Sequence, residues 1–373
     1  MTLPFSPETL KDLHARIETP ALLVWQPNLE KNLADMQKLA DRYRTQLRPH
    51  TKTHKSPLFA QWQLRQGAKG ITVAKLGEAE VMASHGITDI FIANQITQAS
   101  KIKRLRALYE TIRVIIGIDH VDQIELLKPY FSDARAPLSV RIEIDSGLKR
   151  CGVTVGESLI HLAKAVTVQP FLELEGIFTH AGHVYGARNR AEVECIGREE
   201  GEIMARAKAL LQQAGISVST VSVGSTPTAP FSVQNPAVTE IRPGNYIFYD
   251  AMQIALGAAQ ANRVSLFVLA TVVSRPAADR LVIDAGSKAL HTDGSSLTGH
   301  FGLPLNVQGK VIRLSEEHGV LQILPQSKVR IGDPVLLIPN HACAVANLFD
   351  VYHLIDASFK IETVPIEARG KSQ

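Results

Sequence analysis

The chain has 373 residues, 45% of them apolar and 20% charged, with a formal net charge of +4. That length suits two domains sharing an interface, and the charge is too weak and too evenly spread for a nucleic-acid surface. No run of about 18 apolar residues occurs, so no membrane span is expected. The opening Met1-Thr-Leu-Pro-Phe-Ser-Pro-Glu8 lacks the basic-then-apolar order of a secretory leader. Three widely spaced cysteines (Cys151, Cys195, Cys343) make no disulfide framework, and a cytoplasmic, reducing location is expected.

Ala21-Leu-Leu-Val-Trp25 reads as a strand, and Asn28 as the N-cap of a helix with Leu29, Leu33, Met36, Ala40 and Tyr43 on one face. A short run at Gln46 leads into Arg48-Pro49-His50-Thr51-Lys52-Thr53-His54-Lys55. This segment carries too much charge for a core strand. It belongs where a strand ends, and loops leaving the C-terminal ends of parallel strands line active sites in α/β proteins. A lysine that forms a Schiff base must be neutral part of the time, which burial or nearby positive charge achieves. Arg48, His50, His54 and Lys55 are placed to supply that field around Lys52, and Pro57 opens the next helix. Taken alone, the cluster also fits a solvated basic turn.

Further strands are expected at Gly70–Ala74, Asp89–Ala93, Arg113–Gly117, Leu138–Ile144, Leu174–Thr179 and Val218–Val223. Helices are expected between them, at Gly77–Ser84, Ser100–Leu108 and Ala191–Ala214 among others. Strand and helix alternating roughly every 20–30 residues imply parallel strands with crossover helices. With the Ala21 and Gln46 runs, the count reaches about eight strands before residue 225, which suits a closed (β/α)8 barrel better than a doubly wound open sheet. The barrel is assigned to residues 18–256. Beyond it the pattern changes to β-rich runs at Val264–Val273, Arg280–Ile283, Gly309–Arg313, Val320–Leu324 and Pro334–Ile338. They form a separate C-terminal β domain, residues 257–373, with which residues 1–17 can pack.

Five more segments carry groups suited to chemistry. Glu143-Ile-Asp-Ser-Gly-Leu-Lys-Arg150-Cys-Gly152 follows a strand, and its Arg150 could hold an oxyanion or belong to a salt-bridged surface loop. Thr179-His180-Ala-Gly-His183-Val-Tyr185 ends another strand, with His180, His183 and Tyr185 as acid–base candidates. Val223-Gly224-Ser225-Thr226-Pro-Thr228 offers backbone N–H groups and hydroxyls to an anion, or is a plain strand-to-helix turn with a hydroxyl N-cap. Ile241-Arg242-Pro-Gly244-Asn245-Tyr246 is a second such turn. Two turns near the end of a barrel match the usual phosphate site after strands seven and eight. In Pro339-Asn-His341-Ala-Cys343, His and Cys two apart on an extended segment point to one side, where a single open metal site could take both.

In this order the six segments resemble the fold-type III pyridoxal-phosphate enzymes, and within them the D-serine dehydratase and D-threonine aldolase family. The resemblance covers nearly the whole chain, from Thr19-Pro20-Ala21-Leu22 to the His341 region. It implies an alanine racemase-type TIM-like barrel and Lys52, in Arg48-Pro-His-Thr-Lys52-Thr-His-Lys, as the cofactor lysine. It makes Gly224, Ser225, Thr226, Gly244, Asn245 and Tyr246 phosphate ligands, and Arg150 a partner of the phenolic oxygen. Arg242 sits where related racemases carry an arginine to the pyridine nitrogen. His50 joins the cofactor-binding set, His183 and Tyr185 lie near substrate, and Lys52, His183 and Tyr185 form the catalytic set. His341 and Cys343 resemble the zinc pair of the dehydratases, where aldolases tend to carry His and Asp; manganese or magnesium is the alternative ion. Thr72-Val-Ala-Lys75-Leu-Gly-Glu78-Ala-Glu80 is also a family-like segment, without an assigned role.

The implied activity is a D-3-hydroxyamino-acid ammonia-lyase working on a small D-amino acid, with a homodimer as the inherited assembly. Retro-aldol cleavage to glycine and an aldehyde is the alternative at the same site. A racemase needs an acid or base on each face and no metal. A cofactor-homeostasis protein with the same barrel would lack a β domain of this size.

Overall fold

The computed structural model describes residues 4–373, and the chain divides into two compact units. One comprises residues 35–52, 57–244 and 370–373; the other comprises residues 1–34, 53–56 and 245–369. Among the described residues, no helix is long and apolar enough to cross a membrane.

The first unit is the barrel. Its eight strands are Gln46–Leu47, Ile71–Val73, Asp89–Ile92, Arg113–Ile118, Leu138–Glu143, Leu172–Phe178, Thr220–Val223 and Glu240–Ile241. All pairings between them are parallel, and each strand from Ile71 to Glu240 lies beside the next one in sequence. Glu240–Ile241 returns to Gln46–Leu47. A parallel bridge between His50 and Thr72, with Thr72 N–H donating to Pro49 O at 2.8 Å, joins the two ends of the sheet. The Thr72–Glu80 segment thus begins at this closure. Thr72 Oγ1 also donates to Arg48 O at 3.0 Å, and Glu78 accepts the Ala74 N–H at 2.7 Å, holding the start of helix Leu76–Ser84.

Helices Pro57–Arg65, Ala99–Tyr109, Asp122–Phe131, Glu157–Thr167 and Arg190–Gln213 fill the crossovers. Strand interiors such as Ile90-Phe-Ile92 and Val114-Ile-Ile116 are buried on both faces, as parallel strands under helices must be. Within the ring, Glu240 accepts from Arg48 Nε at 2.8 Å, Arg141 Nη1 at 2.6 Å and Ser222 Oγ at 2.5 Å. Burial alone would raise the Glu240 pKa, but Arg141 and Arg48 outweigh it and hold the carboxyl well below its usual range. Arg48 also donates to Asp89 Oδ1 at 2.6 Å. The expectation that Arg48 adds to a positive field around Lys52 is thus corrected. Arg48 is fully buried and neutralised by two carboxylates, because a bare guanidinium could not remain inside the barrel.

The second unit is built on a mixed sheet. Its path runs from Gly309–Leu314 through Gly319–Ile323, Arg280–Ile283, Leu266–Ala277, Ala21–Trp25 and Val351–Ile355 to Ile361–Pro365. Pro334–Ile338 pairs along Leu266–Ala277 as well, and Leu303–Pro304 pairs with Pro334–Ile338. Ala21–Trp25 was expected as the first barrel strand. Instead it pairs antiparallel with Leu266–Ala277 and parallel with Val351–Ile355. A short, doubly buried apolar run fits the centre of either sheet, so its partner is not written in its periodicity. Glu240–Ile241 takes the eighth barrel place. Phe5, Leu10, Leu13 and Ile17 pack with Val264, Phe267, Leu269, Leu336 and Ile338, so residues 5–17 share this unit's core. The compact units thus differ from the 18–256 and 257–373 division, with residues up to 34 and from 245 onward falling in the β unit. Asn28 lies inside helix Gln26–Arg42 rather than capping it, and its amide donates to Asn262 O at 3.0 Å and Val264 O at 2.7 Å.

Candidate active site

In the barrel unit the expected residues stand where strands end. Lys52 sits on the single turn Thr51–Thr53 that follows Gln46–Leu47, with its N–H 3.4 Å from His50 Nδ1. Gly224, Ser225 and Thr226 follow Thr220–Val223, and Arg242 and Gly244 follow Glu240–Ile241. Gly224 has φ +155°, and a Cβ there would meet Arg242 N at 2.7 Å, so only glycine lets the two turns approach this closely. Ser225 and Thr226 are buried. Ser225 Oγ accepts the Thr228 N–H at 3.3 Å within the turn, while Thr228, the N-cap of helix Ala229–Ser232, makes no side-chain capping bond.

His180 follows Leu172–Phe178, and its Nδ1 bonds Gly224 O at 2.8 Å. Burial, then the positive charge of Lys52, pushes the ring from its ordinary 6.5 down to about 3. It is therefore neutral, with Nδ1 as donor and a lone pair on Nε2. His183 and Tyr185 lie on the turn Gly182–Gly186. The His183 ring is packed so closely on Gly147 that a Cβ there would meet it at 3.1 Å, and its Nδ1 is buried without a protein partner. Arg242 donates to Ser222 Oγ and to Thr179 O, each at 2.5 Å, over the rings of Phe91 and Phe178. Its Nε is buried without a partner, and burial draws its pKa down to about 10. Arg150 is half exposed, 3.7 Å from Glu143. Glu143, held by Gln95 Nε2 at 2.5 Å, groups with Asp119 and Cys151, their ligand atoms within 4.8 Å of one another.

In the β unit, the residues that continue these motifs have partners of their own. Thr53, next after Lys52, places Oγ1 3.1 Å from Cys343 Sγ. Lys55 Nζ donates to Asn347 Oδ1 at 2.8 Å, and Tyr352 donates to His54 O at 2.7 Å, which fastens this stretch of chain. Asn245 and Tyr246, next after Gly244, are buried. Asn245 Nδ2 donates to Asp250 Oδ2 at 2.5 Å, and the same oxygen accepts the Ala342 N–H at 2.8 Å.

His341 and Cys343 are not on one extended segment. His341 is extended (φ −134°), but it caps the short helix Ala342–Ala346, which contains Cys343. The two side chains nevertheless hydrogen-bond. Burial opposes charge on His341, yet the Cys343 sulfur and the Asp293 carboxylate raise it well above its usual value. Asp293 Oδ2 lies 2.5 Å from His341 Nδ1.

These features fit the two groups that the sequence implies. The unpartnered Nε of Arg242 and Nδ1 of His183 are buried donors or acceptors that a bound polar ligand would satisfy. An imidazole steadied by a carboxylate beside a thiol is a nitrogen–sulfur donor set of the kind borderline-soft divalent ions prefer.

Residues 26–251 match the family described as alanine racemase, N-terminal domain, and residues 265–355 match the putative serine dehydratase domain. The chain is 32% identical to the D-threonine aldolase of Arthrobacter sp, over 96% of this chain and 94% of that one. It is 30% identical to the D-threo-3-hydroxyaspartate dehydratase of Delftia sp. (strain HT23), over 95% and 98%. The solved D-threonine aldolase from Filomicrobium marinum superposes with a TM-score of 0.90 at 30% identity, covering 96% and 98%. The chain belongs to the fold-type III pyridoxal-phosphate lyases.

Within this family's frame, three carboxylates emerge that local sequence did not mark. Glu200, on helix Arg190–Gln213, is buried and accepts the N–H groups of Ala181 at 3.3 Å and Gly224 at 3.1 Å. Asp250 ties Asn245 to Ala342, and Asp293 holds His341. His180 was legible as a strand-end histidine, but its bond to Gly224 O was not. Asp250 follows Tyr246 closely enough to be noticed; Glu200 and Asp293 reach their partners across 19 to 48 residues and leave no local pattern.

Proposed function

We propose that this protein is a pyridoxal-phosphate- and zinc-dependent lyase that removes water from D-3-hydroxyamino acids, giving a keto acid and ammonia. The observation that carries the reading is the placement of Thr53, the residue after Lys52, with its hydroxyl 3.1 Å from Cys343 Sγ. It supports the reading because Thr53 directly follows Lys52 in the chain and touches the thiol read as a metal ligand. A bound pyridoxal phosphate supplies an electron sink for charge developing at Cα, and a bound zinc ion a Lewis acid for a departing hydroxyl.

Lys52 anchors the cofactor, with His50 beside it, and its Nζ takes the proton from Cα. Gly224, Ser225, Thr226, Gly244, Asn245 and Tyr246 hold the phosphate through backbone N–H and hydroxyl groups. Arg150 serves the phenolic oxygen and Arg242 the pyridine nitrogen. The neutral His180 ring adds no second positive charge next to Lys52. His183 and Tyr185 orient the substrate, and His341 and Cys343 hold the metal. The protein acts as a homodimer in the cytoplasm.

A second reading rests on the 32% identity with a D-threonine aldolase. There the Cα–Cβ bond breaks, with His183 taking the hydroxyl proton. Both readings need Lys52. Wild type and Lys55→Ala, titrated with pyridoxal phosphate, should both develop the visible absorbance of the lysine-bound cofactor, and Lys52→Ala should not. Dependence of that band on Lys55 instead would sink the assignment.

A further inference from the structure

Asp293 is about half exposed and lies in none of the motifs that mark this family in the sequence. Its loop is nevertheless closely fixed. His291 (φ 56°) and Gly294 (φ 80°) bracket it in left-handed conformations, and His291 Nδ1 accepts the Asp293 N–H at 3.0 Å. A Cβ at Gly294 would meet Met252 Sδ at 2.6 Å and Asn340 Cβ at 3.3 Å, so glycine lets the loop close against the residue preceding His341. Asn340 is itself fully buried and donates to His300 O at 2.6 Å. The loop thus packs against the His341 segment beside the contact that matters, Asp293 Oδ2 to His341 Nδ1 at 2.5 Å.

A carboxylate at Nδ1 decides which imidazole nitrogen binds an ion. It keeps the proton on Nδ1, leaves the lone pair on Nε2, and stops the ring from turning about its Cβ–Cγ bond. The short helix Ala342–Ala346 fixes Cys343 through backbone bonds, including the Ala342 N–H to Asp250. The His341 ring has Asp293 as its corresponding carboxylate restraint. We infer that Asp293 is a positioning residue of the metal centre: it sets metal affinity by orienting His341 and is not itself a ligand. The inference rests on the metal reading given under the proposed function.

The test is zinc affinity, measured by competition with a chromophoric chelator on the cofactor-loaded protein, for wild type, Asp293→Ala, Asp293→Asn and His341→Ala. Asp293→Ala should bind zinc about 10–100-fold more weakly than wild type. Asp293→Asn, whose amide oxygen still accepts from Nδ1–H, should recover much of that loss, and His341→Ala should lose tight binding. The zinc concentration giving half-maximal activity should shift by the same factors. Wild-type affinity in Asp293→Ala would overturn the inference alone. So would an Asp293→Asn as weak as Asp293→Ala, which would make the carboxylate a ligand. Failure of the wild type to bind zinc would overturn the metal reading, and this inference with it.

Discussion

His180 keeps its proton off for reasons that can be measured. Its ordinary pKa of 6.5 falls to about 3 in the folded protein because the ring is buried and faces the charge of Lys52. Between those values the unfolded chain takes up a proton that the native protein refuses. The stabilisation that follows is complete above pH 6.5 and is lost as pH falls toward 3, by up to about 1.4 kcal/mol per pH unit. His180→Asn retains a donor to Gly224 O and cannot titrate. Its thermal midpoint should therefore fall less steeply than that of wild type between pH 6.5 and 4. Parallel slopes for the two proteins would show that His180 titrates normally.

At the scale of elements, helix Arg190–Gln213 braces two strand-end segments of the barrel. Asn189 caps it, accepting the Glu192 N–H at 3.0 Å. Gly197 and Gly201 then let it lie against the residues beyond the phosphate-capable turn, since Cβ atoms there would come within 2.8 Å of Phe231 and 3.0 Å of Asn235. That close approach sets the Glu200 carboxylate on the N–H groups of Ala181 and Gly224 at once. One side chain thus holds both the His180–Tyr185 segment and the turn at Gly224. Glu200→Ala should leave two buried donors unpaired, at roughly 1–3 kcal/mol each, and should weaken cofactor binding. Glu200→Gln, still an acceptor, should restore most of both. Denaturant unfolding and a cofactor titration give the two readouts, and an unchanged Glu200→Ala would dismiss the role.

For the whole molecule, the alternation of strand and helix from Gln46 to Val223 made the barrel legible though not its last strand, Glu240–Ile241, and the β-rich pattern after Gly257 made the second unit legible. Ala21–Trp25 was read as a strand but given the wrong sheet, because a run buried on both faces suits either one. The motif segments placed Lys52, the two glycine turns and the His341–Cys343 neighbourhood at strand ends and turns. What stayed hidden was the second layer of carboxylates, and the fact that Arg48 serves the barrel interior. Those contacts join residues far apart in the chain, as with Arg48 and Glu240, 192 positions apart, so no local spacing records them. Which bond of the substrate breaks is a matter of geometry finer than any motif. The direct test is a product assay on the cofactor- and zinc-loaded protein with D-serine, D-threonine and D-3-hydroxyaspartate, with and without chelator. The account predicts a keto acid and ammonia, lost on chelation and restored by zinc; glycine and an aldehyde, or no product from any of the three, would contradict it.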